Sequence, residues 1–239
     1  MVNQYTDITE YYDLWVTSGY YDYESMAKDA HSVAGNGIQI LELGVGTGLL
    51  AQKYIEIDPT CGFTGIDFTA SMLKIAQQRL GDRAKLIEAD VVTMNLNETF
   101  DVAISNGGVW IVFDLGDRRQ LGTHILGFED NLQGLKNIAF HLKEGGLFLL
   151  NLQKPHQDYE KKITEEIIYS QSIEELADTK DYRLLKKSYF FKENGECRAE
   201  QHLNLTFFKA NAYNNLFNEA GFEFQGVSKD GLFVIYKKV

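Results

Sequence analysis

The sequence predicts an α/β protein whose core is a doubly wound, largely parallel sheet. Short apolar runs alternate with helical patterns between Ile38 and Asn151, and this alternation is typical of repeated β-α-β units. A glycine-rich turn, Gly44–Gly48, joins the first strand of this core to its first helix. Such turns bring backbone N–H groups close to a ligand. From Glu165 the pattern changes to strands around a hairpin turn, which indicates an antiparallel insertion after the fifth strand. The predicted strands of this insertion are Glu165–Ser170, Arg183–Phe191 and Cys197–Phe208.

Nearly uninterrupted apolar residues mark the strands of the core, as expected for strands that are buried on both faces. Helices are predicted directly after Gly48, from Phe68 to Leu80, and within Leu121–Lys143, where apolar residues recur at helical spacing. The five predicted core strands are Ile38–Leu43, Gly62–Asp67, Ala84–Glu88, Phe100–Ser105 and Leu147–Asn151.

The two ends of the chain differ from this core. Residues Asp7 to Ala34 read as helices that carry many aromatic side chains. At the other end, a helix from Ala210 to Ala220 precedes two strands, Phe222–Val227 and Leu232–Lys237. This closing hairpin is expected to join the main sheet, which would then have seven strands.

Composition and charge limit the classes of function. The formal net charge is −11, which disfavours a nucleic-acid partner. Cys61 and Cys197 show neither metal-ligand spacing nor a framework of disulfide pairs, so a reducing compartment is expected. The polar start of the chain lacks a signal-peptide core, and no apolar run is long enough to span a bilayer. The sequence thus predicts a cytoplasmic protein without a membrane partner, either a monomer or a homodimer.

The glycine turn distinguishes between possible ligands. The dinucleotide fingerprint G-x-G-x-x-G requires a third glycine at position 49, where this chain has Leu49. The third glycine is Gly48 instead, and the acidic Glu42 precedes the turn. A carboxylate at this place would repel a pyrophosphate and attract an ammonium or sulfonium group. An NAD enzyme is therefore disfavoured.

In these features the chain resembles the class I S-adenosylmethionine-dependent methyltransferases, which have a Rossmann-like fold. The segment Glu42–Gly48 is similar to the first motif of that family, and acidic residues or asparagine follow each of the next three strands. The resemblance implies that S-adenosyl-L-methionine is the cofactor. Asp67 stands where the family's acidic residue accepts hydrogen bonds from the ribose, and a carboxylate suits a vicinal diol. The implied cofactor-binding residues are Tyr12, Tyr23, Glu42, Gly44, Gly46, Gly48, Asp67, Phe68, Met72, Asp90, Val91 and Asn106.

The two ends of the chain are similar to small-molecule N-methyltransferases, including the bacterial aminosugar N,N-dimethyltransferases. This resemblance divides the single domain, 1–239, into four parts: a helical lid (1–36), a cofactor-binding core (37–153), a β insertion that covers the acceptor (154–208), and a closing helix and hairpin (209–239). The segments Gly108–Val112 and Leu152–His156 depart from the aminosugar enzymes, because they lack the histidine and the aromatic residues found there. A sugar acceptor is therefore disfavoured. The side chains of Trp15, Tyr20, Trp110 and Phe113 indicate a flatter, more apolar or aromatic acceptor.

Candidate acceptor and catalytic residues come from the aromatic lid and from histidines near the predicted cavity. The expected substrate-binding residues are Trp15, Tyr20, Gly107 and Trp110, and the candidate catalytic residues are His124, His202 and Tyr12. His156 is assigned to the surface or to a structural role. The pair Asp114 and Asp117 lacks a third ligand, so no metal is expected.

The leading hypothesis is methyl transfer to a small-molecule acceptor in a biosynthetic or modification pathway, with N-methylation ahead of O-methylation. An amine needs little help to lose its proton, whereas a hydroxyl generally needs a positioned base, and the sequence offers no convincing one. Three alternatives stay open: O-methylation, a protein or nucleic-acid substrate, and a cyclase or regulatory protein that binds the cofactor without transferring methyl.

Overall fold

The computed structural model describes residues 4–239, whose strands all join one continuous sheet. This sheet has thirteen strands, and helices pack against it. The α/β class expected from the sequence is confirmed, but the sheet is larger than the seven strands predicted. The first three residues of the predicted lid segment, 1–36, lie outside the described residues.

The helices and strands are numbered in chain order. The α-helices are α1 (Thr9–Thr17), α2 (Tyr23–Ala34), α3 (Leu49–Ile57), α4 (Ala70–Leu80), α5 (Phe128–His141) and α6 (Ala210–Glu219). The strands are β1 (Gln39–Leu43), β2 (Gly62–Asp67), β3 (Lys85–Glu88), β4 (Phe100–Ser105), β5 (Trp110–Asp114), β6 (Arg119–Thr123), β7 (Leu142–Gln153), β8 (Tyr159–Lys162), β9 (Ile167–Asp178), β10 (Tyr182–Glu193), β11 (Glu196–Phe208), β12 (Phe222–Val227) and β13 (Phe233–Lys238).

The main limb of the sheet has the order β3-β2-β1-β4-β7-β13-β12. Strands β1 to β4 and β7 run parallel, and β13 pairs antiparallel with β7. The chain moves outward from β1 to β3 and then crosses to β4 on the other side of β1. The strand order therefore reverses between β1 and β4, and α/β sheets bind ligands at the carboxyl ends of the strands at such a point.

The second limb continues from the carboxyl end of β7 through β5, β6, β11, β10, β9 and β8. Leu152 and Gln153 of β7 pair with β5, so the two limbs share one strand. The hairpin of β5 and β6 was not predicted. Because β6 includes Leu121–Thr123, the helix expected within Leu121–Lys143 begins only at Phe128. Strand β8 was also missed, and β9 extends to Asp178, beyond the predicted Ser170.

The N-terminal helices contact both limbs. In α1, Trp15 stacks on Tyr169 of β9, with ring centroids 4.8 Å apart, and belongs to an apolar cluster with β5, β10 and β11. The same helix reaches the glycine turn, because the Asp13 carboxylate accepts a hydrogen bond from the Thr47 hydroxyl at 2.5 Å and pairs with Arg79 of α4. Helix α1 therefore contacts both the predicted cofactor-binding core (37–153) and the predicted β insertion (154–208). Within residues 4–239, no helix combines the length and apolar character needed to cross a membrane.

Candidate functional site

The turn after β1 approaches the turn after β4 very closely. Gly44 and Gly46 have φ values of +68° and +54°, which favour glycine. A Cβ placed on Gly44 would lie 2.9 Å from the Cα of Gly108. This position therefore needs glycine for its backbone conformation and for space. The close approach leaves both turns at the edge of one cavity.

Asp67 ties the turn after β2 to the glycine turn. One carboxylate oxygen accepts the Gly46 N–H at 2.9 Å, and the other accepts the Thr69 N–H at 2.8 Å. Burial raises the pKa of this carboxyl group, and these N–H donors oppose the rise. A carboxylate oxygen can accept more than one hydrogen bond, so both oxygens retain the capacity to bind a pair of hydroxyls.

A main cavity of about 500 Å³ lies over these turns. Its walls come from the ends of β1 to β4, from the segment after β6 and from the N-terminal residues Tyr5 and Tyr12. The sequence-predicted residues that line it are Tyr12, Gly44, Gly46, Asp67, Phe68, Met72, Asp90, Val91, Gly107 and His124. The geometry therefore brings together most of the predicted set in one place.

Two other predicted residues, Glu42 and Asn106, lie buried at the ends of β1 and β4, beside the turns that line this cavity. Glu42 Oε2 and both side-chain polar atoms of Asn106 have no hydrogen-bond partner among the described residues. Burial, and then the nearby Asp67, raise the pKa of the Glu42 carboxyl group. Buried polar atoms without partners are costly. Such atoms beside a cavity suit a ligand that carries hydrogen-bond donors and positive charge.

A much smaller inner chamber, of about 30 Å³, adjoins the main cavity and shares Tyr5, Tyr12, Gly107 and His124 with it. Most of its other lining residues are aromatic or apolar and come from α1, the segment after α1, β5, β6, β10 and β11; they include the predicted Trp15 and Tyr20. An outer cavity of about 430 Å³ lies next to the inner chamber. The residues shared by these two are Tyr20, Tyr21 and His156.

The basic side chains among the described residues that line the inner chamber are those of His124, His156 and Lys187. Lys187 of β10 is only 3% exposed, and its Nζ donates to His156 Nδ1 at 2.9 Å. His156 Nε2 donates to Gln153 Oε1 at 2.8 Å, which fixes the tautomer of the ring. His124 Nε2 lies 3.0 Å from the Tyr5 hydroxyl. Burial lowers the pKa of Lys187 to about 7, that of His124 to about 4 and that of His156 to about 2.

The buried Lys187 is expected to make the stability of the protein depend on pH. Its pKa is about 7 in the folded protein and ~10.4 in an unfolded chain, so the unfolded chain binds more protons between these values and stability rises with pH there. The groups that face the amine are Tyr20, His156 and Tyr189. Lys187→Met should therefore flatten the plot of Tm against pH between about pH 7 and pH 10. Lys186→Met, on the other face of β10, should keep the wild-type slope, and equal slopes in all three proteins would contradict the expectation.

Besides Glu42 and Asn106, four predicted residues lie outside the main cavity and the inner chamber, and two of these four lie away from the site. Trp110 is fully buried against α5, where its indole Nε1 donates to Asn131 Oδ1 at 2.8 Å, so the geometry gives no support to the substrate role expected for it. The neighbouring β5 residues Ile111 and Phe113 line the inner chamber instead. His202 lies on the outward face of β11, bonded to Ser188 Oγ at 2.8 Å, and its expected catalytic role has no support from the cavities either.

The other two lie close to the site without lining a cavity. Gly48 has φ of +80° and lies against α4, where an added Cβ would come within 2.9 Å of Leu80 Cδ1. The absence of a side chain at Gly48 therefore allows α4 to pack closely against the glycine turn. Tyr23 packs in the aromatic cluster beside Tyr21, with ring centroids 5.5 Å apart. Their assignment as direct cofactor contacts stays a prediction.

Three site residues were missed from the sequence. Tyr5 lines both the main cavity and the inner chamber, and His156 lines the inner chamber, although it was assigned to the surface or a structural role. Lys187 could have been found, because it occupies an inward position on the predicted strand Arg183–Phe191. Residues at every second position of a strand share one face, and on the face of Lys187 the side chains of Leu185, Tyr189 and Phe191 are all buried.

Comparisons with known proteins agree with this geometry. Residues 40–146 match a family model described as a methyltransferase domain. A malonyl-[acyl-carrier protein] O-methyltransferase of Bacillus anthracis is 28% identical over 152 residues, and the match covers 60% of this chain and 50% of that protein. The chain thus spans about half the length of this curated relative.

Two solved structures match almost the whole chain. One is SAM-bound CalS10, an amino pentose methyltransferase from Micromonospora echinaspora, with a TM-score of 0.65, 15% identity and coverage of 100% of both chains. The other is the sugar N-methyltransferase KedS8 from Streptoalloteichus, with a TM-score of 0.66, 16% identity and coverage of 95% and 92%. At these identities the likeness establishes the fold.

Residues 40–146 thus carry a methyltransferase domain, and the chain has the fold of S-adenosylmethionine-dependent methyltransferases. Its cofactor is S-adenosylmethionine. The residues present fit this molecule: the unpartnered atoms of Glu42 and Asn106 suit an ammonium group, and Asp67 suits a ribose. Both dinucleotide binding at Leu49 and a metal site were disfavoured from the sequence. Among residues 4–239 no group of acidic, histidine or cysteine side chains has the arrangement of a metal site.

Proposed function

We propose that this protein transfers a methyl group from S-adenosylmethionine to a small-molecule acceptor. The observation that carries the proposal is the contact between the main cavity and the inner chamber at Gly107, with Tyr5, Tyr12 and His124 around it. A cofactor in the main cavity would therefore meet an acceptor that enters an enclosed, largely aromatic space. Small-molecule sites are typically concave and apolar with a few well-placed polar groups.

Residues at the ends of β1 to β4, which line the main cavity, would bind the cofactor. In this proposal Gly44 and Gly46 allow the backbone to approach the methionine part, and Asp67 accepts from the ribose hydroxyls. The adenine would lie between Phe68 and Met72 with its amino group toward Asp90. The proposed partners for the ammonium group are Glu42 Oε2 and Asn106 Oδ1, which lack a hydrogen-bond partner within the described chain.

The chain itself would supply alignment and exclusion of water. Bound S-adenosylmethionine supplies an activated methyl group on a sulfonium leaving group. The main contribution of the protein to the rate of transfer is then to hold the acceptor in line with that methyl group and to exclude water. Tyr5 and Tyr12 cover the junction of the two cavities, and the contact of Asp13 with Thr47 holds α1 against the glycine turn. We infer that α1 acts as part of a lid.

Two acceptor chemistries have support. N-methylation is favoured by the sequence resemblance and by a fold shared with solved sugar N-methyltransferases. O-methylation is favoured by the side chain of Lys187, because burial lowers the pKa of this amine to about 7 and leaves part of it neutral and able to accept a proton near pH 7. The curated relative that methylates oxygen points the same way.

Methyl transfer can be tested with S-adenosylmethionine labelled in its methyl group. Incubated with the protein and a metabolite extract, the label is expected in a low-molecular-weight product, because the acceptor space is enclosed. Mass spectrometry of that product would identify the methylated atom. Label found in protein or RNA would overturn the small-molecule proposal. Binding of S-adenosylhomocysteine without any transfer would instead favour a regulatory protein or a cyclase.

A further inference from the structure

The cavities differ in the sign of the charges that line them. Three carboxylates, Asp67, Asp90 and Asp130, line the main cavity, and no lysine or arginine does so among the described residues. The inner chamber and the outer cavity reverse this pattern. Their described lining includes Lys187, Lys154 and Lys161 but no aspartate or glutamate. This separation is notable in a chain whose formal net charge is −11.

Lys187 is the most enclosed of these cations, and neutral groups surround it. Its Nζ contacts His156 Nδ1 at 2.9 Å and the Tyr20 hydroxyl at 3.4 Å, and it lies 4.8 Å from the ring centroid of Tyr189. The tautomer of His156 is set by Gln153, so Nδ1 accepts from the amine. Burial raises the pKa of the Tyr20 phenol well above its usual value, which keeps it neutral.

An ammonium group has three N–H donors, and the described contacts of Lys187 use two of them. A buried cation without an anionic partner is costly, and the missing partner can be supplied by a ligand. The chamber of about 30 Å³ has room for a group of the size of a carboxylate. Phe113 and Phe207, stacked on each other with ring centroids 5.2 Å apart, form an apolar wall of this chamber.

We propose that Lys187 binds a carboxylate group of the acceptor, carried on a flat molecule, in the inner chamber. This inference rests on the proposed methyl transfer and names the substrate class of the same site. Lys154 and Lys161 of the outer cavity would attract such an acid from solution. The same charges would disfavour an acceptor that carries an ammonium group.

The test compares probes that share one ring and differ in one group: para-hydroxybenzoate, para-hydroxybenzyl alcohol and para-hydroxybenzylamine. Calorimetry with the protein saturated with S-adenosylhomocysteine is expected to show at least ~10-fold tighter binding of the acid than of the alcohol. Because Lys187 gains an anionic partner, binding of the acid should also take up protons from the buffer. This uptake is measurable by repeating the titration in buffers of different ionisation enthalpy.

Variants test whether the preference for the acid depends on the Lys187 side chain itself. Lys187→Met should abolish the preference for the acid and the proton uptake while S-adenosylhomocysteine still binds, which also shows that the variant folds. Lys187→Arg should retain part of the preference, and Lys186→Met should retain all of it. A preference for the alcohol or amine, a preference that survives in Lys187→Met, or no binding of the acid to the cofactor-loaded protein would overturn the proposal. Failure of the wild type to bind S-adenosylhomocysteine would instead refute the proposed function itself.

Discussion

Asp67→Ala is expected to weaken the binding of S-adenosylhomocysteine by at least ~100-fold, which corresponds to about 3 kcal/mol. Two effects contribute. The ribose hydroxyls would lose a charged acceptor, and the N–H groups of Gly46 and Thr69 would lose the oxygens that hold the two turns in place. Isothermal titration calorimetry at one pH measures the change directly.

Two further variants sharpen this test. Asp67→Asn keeps the size of the side chain but puts an amide donor against a backbone donor, so it should also weaken binding strongly. Asp82→Ala removes an exposed carboxylate that follows α4 and should leave the affinity unchanged. An unaltered affinity in Asp67→Ala would remove this residue from the proposed ribose contact.

Trp110→Ala is expected to lower the free energy of unfolding by about 4 kcal/mol and the Tm by about 10 °C. The indole is fully buried, and its removal leaves a large cavity beside α5 and an unpaired Asn131 Oδ1. Denaturant and thermal unfolding measure both quantities. The effect should fall on stability rather than on ligand affinity, because Trp110 lines no cavity of the site.

Phe140 offers a matched control on α5, because its aromatic side chain is 71% exposed. Phe140→Ala should change the stability by less than about 1 kcal/mol. Well below its Tm, Trp110→Ala should bind S-adenosylhomocysteine as the wild type does. Full stability together with a specific loss of acceptor binding would restore the substrate role that the sequence first indicated.

Most of the cofactor site could be predicted from the sequence because its residues follow the ends of parallel strands. Such ends meet at one edge of a sheet, so the sequence alone predicts that Gly44, Asp67, Asp90 and Gly107 lie together. The main cavity brings these four together. The inference needed only the order of strands and the residue after each of them.

The acceptor side was harder to predict because its walls depend on the direction in which strand residues point. The run Val109–Phe113 is apolar throughout, so no alternation reveals which face of β5 is inward, and Trp110 was placed on the wrong side. The orientation of His202 could have been predicted, because apolar residues alternate along β11. The buried Leu203 and Leu205 mark its inward face, and His202 lies on the other face. Tyr5 reaches the site only through the fold of the N-terminal segment, which no local pattern encodes.

The twelve-residue strand β7 has a consequence for engineering the acceptor specificity of this protein. Its central part pairs with β4 and β13, and its last residues pair with β5. Strand β6, the partner of β5, in turn pairs with β11. An exchange of residues 154–208 alone would therefore leave the β6 edge facing a foreign strand. A functional chimera should carry residues 106–126 from the same donor, so that hairpin and insertion are exchanged as one unit.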